Sequence, residues 1–400
     1  KVSFKFRVRK FMKLFKSLLV APATLGLLAP MSATANELNL AEVSGYSSSE
    51  EVQNISEFYP KELAVTNSRV DGLETRLNEF EAGGFAGTTT ASFSTDFLIG
   101  AVDGDETVNT DKVMAAYSFE MGISTSFTDG DSLDITIDAG NSKTDRDAST
   151  LLGATDGVNE ADGNVTADAL NVDGVSYTFP LGDATFFVGD NSDASSLFTT
   201  ACSYGGITNT LDDCGNVNAG PTGGGLAMGA SYDFGNGFAV AVGFQNKDGE
   251  EDQGVFTKES TDTLALNLSY TGDNFGISYT GAAVEDGLGA EQEDTYGALN
   301  GYYTPDSDIL PSISVGYEVG EDASKTTLDE ITSFFVGLQW DEVGPGSFGV
   351  AMGHSGTLEG ADEEYMYEAY YSYAVNDGMT ITPVIYTKDN ATAGQDDTTG

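Results

Sequence analysis

The residues that could support catalysis or metal binding are few and poorly arranged. The single histidine, His354, falls on the apolar side of an alternating segment and has no convincing catalytic partner. The acidic runs 103–111 and 128–134 lack the spacing of an EF-hand calcium loop, so we interpret them as solvated loops. The glycine-rich segment 221–229 lacks the Lys-Ser/Thr pair of a phosphate-binding loop. We therefore expect no catalytic residues, no metal site and no cofactor, and no enzyme.

The two cysteines, Cys202 and Cys214, lie in one polar, glycine-rich segment. A redox-active pair would need C-x-x-C spacing or a lowered thiol pKa, and that spacing is absent. In an oxidising compartment we expect the two to form a structural disulfide, which closes a small loop and contributes about 2–3 kcal/mol.

Carboxylates are the dominant charged groups of the chain. Asp and Glu number 63 against 17 Lys and Arg, which gives a net charge of −46. Such a chain repels nucleic acid and anionic lipid and attracts cations. Its 40% apolar residues and many Tyr and Phe argue against disorder. We expect a folded protein with no nucleic-acid partner.

The element that must position these carboxylates is the β-strand. From residue 88 onward apolar residues recur at every second position, as in Leu264, Leu266, Leu268 and Tyr270. The intervening positions are small or polar, and each segment has about the length of a transmembrane strand. Outside the N-terminus there is no apolar run long enough for a transmembrane helix.

The alternating segments predict fifteen strands, separated in turn by short turns and long polar loops. They lie near 91–102, 113–127, 133–141, 168–181, 185–190, 226–234, 238–246, 262–271, 275–285, 295–304, 312–320, 331–342, 347–356, 364–376 and 379–388. Aromatic residues flank the short turns, as Trp340 and Phe348 do at 344–346. This arrangement is typical of an interfacial aromatic girdle and is not expected of a soluble sandwich.

The fold class predicted for residues 88–400 is all-β: a 16-stranded antiparallel transmembrane β-barrel. Bacterial single-chain barrels have an even number of strands. Because the sequence stops in the polar stretch DNATAGQDDTTG, we expect the last strand to be missing from this chain.

Alternation also assigns charged residues to the lumen of such a barrel. The predicted channel-lining residues are Asp96, Glu120, Asp134, Asp138, Asp233, Glu318, Glu364, Glu368 and Lys388. Because only Lys388 is basic, the sequence favours a modest cation preference. The alternative interpretation is that the acidity serves solubility and loop hydration.

The N-terminus is typical of a targeting segment. Residues 1–11 precede Met12 and are interpreted as an upstream extension, outside the protein proper. Residues 12–35 have a basic start, a short apolar stretch and an Ala-Thr-Ala end, so we predict a signal peptide cleaved after Ala35. The alternative, a membrane anchor, would need a longer apolar stretch.

Residues 36–60 form a polar linker, and residues 61–83 carry a heptad pattern that ends at a pair of glycines. Its seam residues are Leu63, Thr66, Val70, Leu73, Leu77 and Phe80. A helix this short is marginal in water, so the pattern favours a coiled coil with other copies of the chain. The alternative is an amphipathic helix on the protein's own surface.

The run VDGLETRLNEFEAGGFAGTTTASFSTDFLIGA (70–101) resembles the junction between coiled coil and first strand in cyanobacterial outer-membrane porins of the carbohydrate-selective (OprB-type) superfamily. The resemblance implies a homotrimer in the outer membrane that passes small solutes and ions, including sugars or, in some members, inorganic iron. Family members usually carry an S-layer-homology domain before the coiled coil. Residues 36–60 are too short for one, so the resemblance leaves cell-wall binding in doubt.

In porins of this size, the longest outer loop folds inward and narrows the channel. The resemblance therefore implies that segment 190–225 is a constriction loop, with the disulfide inside it. Its candidate constriction charges are Asp190, Asp193, Asp212 and Asp213. The competing function from another class is a surface structural or adhesive protein, in which a coiled-coil stalk carries a β head.

Overall fold

The computed structural model describes most of the region that follows the heptad pattern. The described residues are 89–104, 112–128, 130–141, 169–247, 254–257, 260–285, 293–307, 309–322, 330–392 and 394–400. The upstream extension, signal peptide, linker and coiled coil, with seam residues Leu63, Val70, Leu73, Leu77 and Phe80, lie outside these residues. Those predictions therefore stay predictions.

The described residues form an antiparallel sheet of seventeen strands with one short 3-10 helix, Ala194–Leu197. The strands are β1 Thr89–Gly100, β2 Met114–Thr125, β3 Ser132–Gly140, β4 Asn171–Leu181, β5 Ala184–Asp190, β6 Leu226–Asp233, β7 Phe238–Asn246, β8 Asp262–Thr271, β9 Phe275–Glu285, β10 Glu293–Tyr303, β11 Ser312–Glu321, β12 Glu330–Val343, β13 Gly346–Leu358, β14 Met366–Asn376, β15 Met379–Ile381, β16 Val384–Lys388 and β17 Thr398–Thr399. No helix in the described ranges is long and apolar enough to cross a membrane.

Strand pairing follows the order of the chain. β1 pairs with β2, and each strand up to β14 pairs antiparallel with its successor. The two ends of the sheet meet at Asp103 and Thr399, whose backbones exchange hydrogen bonds of 2.9 and 2.7 Å. Val102 also packs in one buried cluster with Tyr370 and Tyr386. Within the described residues the backbone pairing between the two ends is limited to this bridge, so no continuous ladder closes the sheet into a barrel.

The prediction of sixteen strands is not reproduced, because the predicted strand 379–388 is interrupted. β15 and β16 both pair with β14, and Thr382 and Pro383 separate them. Proline has no N–H to give to a ladder, which explains the break. Next to β16, at the position expected for the missing strand, lies the two-residue strand β17.

The sheet has an apolar outer face and a polar inner face. In β11, Ile313, Val315, Tyr317 and Val319 are exposed, whereas the residues between them are buried. The exposed series continues in neighbouring strands with Val242, Leu264, Leu266, Leu268, Ile277, Tyr279, Leu299 and Ile385. Buried inner-face residues include Asn267, Ser278, Thr280, Asn300, Ser314 and Glu318. This distribution is the reverse of that in a water-soluble sheet protein.

Aromatic side chains cluster at the end of the sheet that carries the short turns. The contacting ring pairs are Phe127–Tyr177, Phe179–Phe186, Tyr232–Phe234, Phe238–Tyr270, Tyr270–Phe275 and Trp340–Phe348. The indole N–H of Trp340 donates to the carbonyl of Ile309 at 3.0 Å. The structure thus contains the aromatic band that the sequence predicted around the turns.

Candidate functional site

The candidate site is built around the segment 191–225 between β5 and β6, which we call the inner loop because it lies on the inner face of the sheet. Its first limb runs across several strands and donates backbone N–H groups to polar side chains on them. These bonds are Ala194 to Gln245 on β7 (2.8 Å), Thr199 to Asn267 on β8 (2.9 Å), Ala201 to Ser278 on β9 (2.8 Å), Ser203 to Ser314 on β11 (2.9 Å) and Gly205 to Gln339 on β12 (3.0 Å).

Small side chains on the inner face allow the inner loop to approach the strands closely. A cluster of alanines packs against Leu197 and Phe198 of the loop: Ala227, Ala241, Ala265, Ala282 and Ala298. At Gly316 an added Cβ would lie 1.8 Å from the carbonyl oxygen of Cys214. A side chain at this position would therefore push the loop away from β11.

The tip and the second limb of the loop bind two wall carboxylates. Glu368 on β14 accepts hydrogen bonds from the Tyr204 hydroxyl (2.8 Å) and from the backbone N–H groups of Ile207 (3.2 Å) and Thr208 (2.8 Å). Burial raises the pKa of Tyr204, so its hydroxyl remains a donor at ordinary pH.

Glu318 on β11 accepts from the backbone N–H groups of Asn218 and Ala219, both at 2.8 Å, and from the Asn218 side chain at 2.7 Å. Glu318 and Glu368 are only 1% and 4% exposed. Both face inward as the alternation predicted, but the inner loop covers them. They therefore do not line free space, and the interpretation of these two residues as channel-lining is corrected.

The two limbs of the loop are joined by a disulfide between Cys202 and Cys214. The side-chain amide of Asn300 on β10 donates to the Cys214 carbonyl at 2.7 Å. Tyr204 and Leu211, on the two sides of the loop tip, pack with Phe335 and Met366 of the wall in a buried cluster. The disulfide, the hydrogen bonds and this apolar cluster all hold the loop in one position.

Asp212 and Asp213 lie at the tip side of the disulfide, and their side chains are exposed. Protein atoms that partly exclude water from the Asp212 carboxyl are the main cause of its raised pKa, and the neighbouring charge of Asp213 is the next. Together they raise the pKa of Asp212 to about 7. Burial, followed by the charges of Glu318 and Asp193, raises the pKa of Asp213 to about 6. Both carboxylates therefore contact water while protein atoms surround them on other sides.

The other two predicted constriction charges have different positions. Asp193 precedes the 3-10 helix and accepts the backbone N–H of Gly223 at 2.9 Å, so it fastens the base of the loop. Asp190 is the last residue of β5, where it pairs with Val175 and lies on the same face as the exposed Val188. Asp190 therefore points to the outer face at the strand end and lies outside the inner loop.

The inner face of β1–β3 is acidic. Glu120 on β2 pairs directly with Asp138 on β3, and Asp134 follows on the same face of β3. Asp96 on β1 is next to Phe97 in the strand, so the two side chains point to opposite faces, and the exposed ring of Phe97 is on the outer face. By alternation these four carboxylates share the inner face; Asp96 and Glu120 are exposed, Asp134 is partly exposed and Asp138 is buried.

The remaining predicted channel-lining residues lie near strand ends. Asp233 accepts the N–H of Gly235 in a short turn at 2.8 Å. Lys388 at the end of β16 forms a salt bridge of 2.7 Å with Glu364. Glu364 lies just before β14 rather than within a strand. The only basic residue assigned to the lumen is thus paired with a carboxylate.

His354 lies on the outer face, as its alternation indicated. It is buried between the rings of Phe334 and Tyr365, with ring centroids 5.0 and 5.7 Å away, and its Nδ1 lies 3.2 Å from the Thr357 hydroxyl. No group of three potential metal ligands occurs in the described part of the chain. The contacts of His354 are those of a packed aromatic cluster.

The sequence interpretation missed the neutral anchors of the loop. Gln245, Asn267, Asn300 and Gln339 were only polar residues on alternating strands. The feature of the sequence that could have identified them is their size and polarity, because these amide side chains occur among alanine, glycine and serine on the inner face. A long amide that faces inward can reach a segment of chain above the sheet.

Comparison with known proteins shows a porin-type fold. A triple mutant of the Rhodopseudomonas blastica porin aligns at a TM-score of 0.50 and 14% identity, covering 78% of this chain and 98% of the porin. OprB of Pseudomonas putida, in its high-pH structure, aligns at a TM-score of 0.52 and 12% identity, covering 77% of this chain and 92% of OprB.

In sequence, an uncharacterized protein of Nostoc sp. is 24% identical over 388 residues, covering 83% of this chain and 67% of the relative. No protein-family model matches the chain.

Proposed function

We propose that the protein is an outer-membrane porin through which small hydrophilic solutes and ions diffuse passively. The observation that carries the proposal is the inverted sheet: its outward face is apolar and exposed, and its polar inner face bears the inner loop. Such a sheet is stable only if lipid covers the outer face and water fills the space inside. The porin-type fold supports this assignment.

The finer features of the proposal come from the sequence. A signal peptide cleaved after Ala35 would export the chain, and the heptads of 61–83 would join three copies. In the mature protein the strands would close into a barrel at the Asp103–Thr399 bridge. The similarity to a Nostoc protein agrees with the resemblance to cyanobacterial porins. By that resemblance, sugars and inorganic iron are candidate solutes of this protein.

The arrangement of charges supports a preference for cations. In the proposed barrel, the exposed Asp212 and Asp213 of the loop and the carboxylates of β1–β3 would border the lumen, and Lys388 is paired with Glu364. In planar bilayers with a KCl gradient, we expect ohmic channels with a reversal potential that indicates cation selectivity. The preference should weaken in concentrated salt, because screening shortens the reach of charges. Anion selectivity would contradict this charge assignment.

The raised pKa values of Asp212 and Asp213 predict that selectivity depends on pH. Both carboxylates are ionised at pH 8 and become protonated as the pH falls through about 7 and about 6. Cation preference should therefore fall between pH 8 and pH 5, in a range where ordinary carboxylates stay charged. Reversal potentials measured across this range test the prediction.

The matched control for this pH series is the double variant Asp212→Asn and Asp213→Asn, which carries no titrating pair at the tip. Its selectivity should be weaker at pH 8 and nearly constant down to pH 5. If wild type and variant show the same pH profile, the titration of Asp212 and Asp213 does not set the pH dependence of selectivity.

A further inference from the structure

Glu318 and Glu368 both contact the inner loop directly. Each accepts three hydrogen bonds from the inner loop, and each is almost completely buried. Buried carboxylates are costly unless donors surround them. Here backbone N–H groups, one hydroxyl and one side-chain amide supply those donors, so the charges are satisfied within the protein.

The two carboxylates accept backbone N–H groups of the tip and the second limb, where the neutral anchors Asn300 and Gln245 donate to the carbonyls of Cys214 and Gly224. Gln245, Asn267, Ser278, Ser314 and Gln339 bind the first limb, from Ala194 to Gly205. Glu368 binds the tip at Ile207 and Thr208, and Glu318 binds the second limb at Asn218 and Ala219. Hydrogen bonds to an ionised acceptor are about twice as strong as neutral ones. The strongest wall contacts therefore lie on either side of Asp212 and Asp213.

We propose that Glu318 and Glu368 are positioning residues that clamp the tip and second limb of the inner loop to the wall, and so set the open cross-section of the pore, rather than charges that select ions. This inference rests on the proposed porin function. Release of either clamp would let its part of the loop move into the uncovered space, next to the carboxylates of β1–β3. The neutral anchors and the disulfide would still hold the first limb.

The test compares two loop-facing variants with one that faces the open space. Glu318→Gln and Glu368→Gln keep the side-chain size but remove the acceptor charge, whereas Glu120→Gln makes the same change on the uncovered wall. In single-channel recordings we expect both loop-facing variants to show a several-fold higher frequency of partial closures. Glu120→Gln should leave the frequency of partial closures at the wild-type value and shift the reversal potential instead.

Hydrogen exchange measured by mass spectrometry in nanodiscs gives a readout that does not depend on conduction. Glu368→Gln should speed exchange roughly tenfold or more at residues 205–212, and Glu318→Gln at 216–222, with the first limb unchanged. If either variant fails to fold, Tyr204→Phe and Asn218→Ala remove one loop-side donor to Glu368 and Glu318 respectively. These variants should change the same peptides by smaller factors.

The results separate this inference from the proposed function. If both Gln variants keep the wild-type hydrogen-exchange rates and the wild-type frequency of partial closures, the proposed clamp is wrong. It is also wrong if they only shift the reversal potential, as Glu120→Gln is expected to do. Local loss of protection in a protein that never conducts would instead support the clamp and contradict the porin.

Discussion

Val315→Arg should destabilise the folded protein in a lipid bilayer by about 2–4 kcal/mol, the cost of a lipid-facing arginine near the middle of a membrane barrel. Val315 lies on the outer face of β11 and is 48% exposed. On a water-exposed strand the same change would stay within about 0.5 kcal/mol, because arginine is well hydrated there. The free energy of unfolding in vesicles, from denaturant titration, distinguishes these values.

The control for this substitution is Thr136→Arg on β3, which faces inward on the uncovered side. Its cross-strand neighbours are Gly122 and Gly174, so no side chain stands beside it on either neighbouring strand, and Thr136 itself is partly exposed. We expect a much smaller loss of stability than for Val315→Arg. Equal losses for the two variants would mean that the outer face does not contact lipid.

Exchanging both tip carboxylates for lysine should reverse the ion selectivity of the pore. The double variant Asp212→Lys and Asp213→Lys places two cations where the loop faces the remaining space. Because a narrow passage of low dielectric strengthens the effect of nearby charges, the sign of the reversal potential in a KCl gradient should change.

A second double variant, Asp273→Lys and Asp377→Lys, makes the same change in net charge at two exposed short turns. These positions lie in the turns after β8 and after β14, away from the inner loop. We expect the cation preference of the wild type to persist in this control. If both double variants shift the reversal potential equally, overall charge rather than the loop sets the selectivity.

Much of the sheet was predictable from the sequence because each strand has one apolar face and one polar face. In β11 the alternation of Ile313, Val315, Tyr317 and Val319 with small or polar residues is strict, and the structure exposes one set and buries the other. The interruption at Pro383 could also have been expected, since proline cannot donate to a ladder. The alternation of apolar and polar residues over 379–388 nevertheless predicted one uninterrupted strand.

The roles of inward-facing residues were less predictable, because alternation gives the direction of a side chain but not what covers it. Glu120 and Glu318 have the same pattern in sequence, yet only Glu318 lies beneath the inner loop. Asp190 was assigned to the loop from its position in the chain, whereas β5 extends through it and turns it outward. Contacts between a loop and distant strands depend on the path of the loop, which local patterns do not encode.

The inner loop carries both the shape and the charge of the proposed pore. Its hydrogen bonds run to seven strands between β7 and β14, so nearly half of the sheet contributes to its position. β1–β3 carry the carboxylates Asp96, Glu120, Asp134 and Asp138 on their inner face. We therefore expect substitutions in β1–β3 to change selectivity, and those beneath the loop to change conductance and its fluctuations.

Trp340 offers the most direct test of whether lipid covers the outer face. It is the only tryptophan of the chain, and it lies on the outer face of β12 against Phe348. In vesicles, we expect lipids with brominated acyl chains to quench its fluorescence strongly and aqueous iodide to quench it weakly. Strong quenching by iodide with none by brominated lipid would show that water covers this face, and would contradict the assignment of the protein to the membrane.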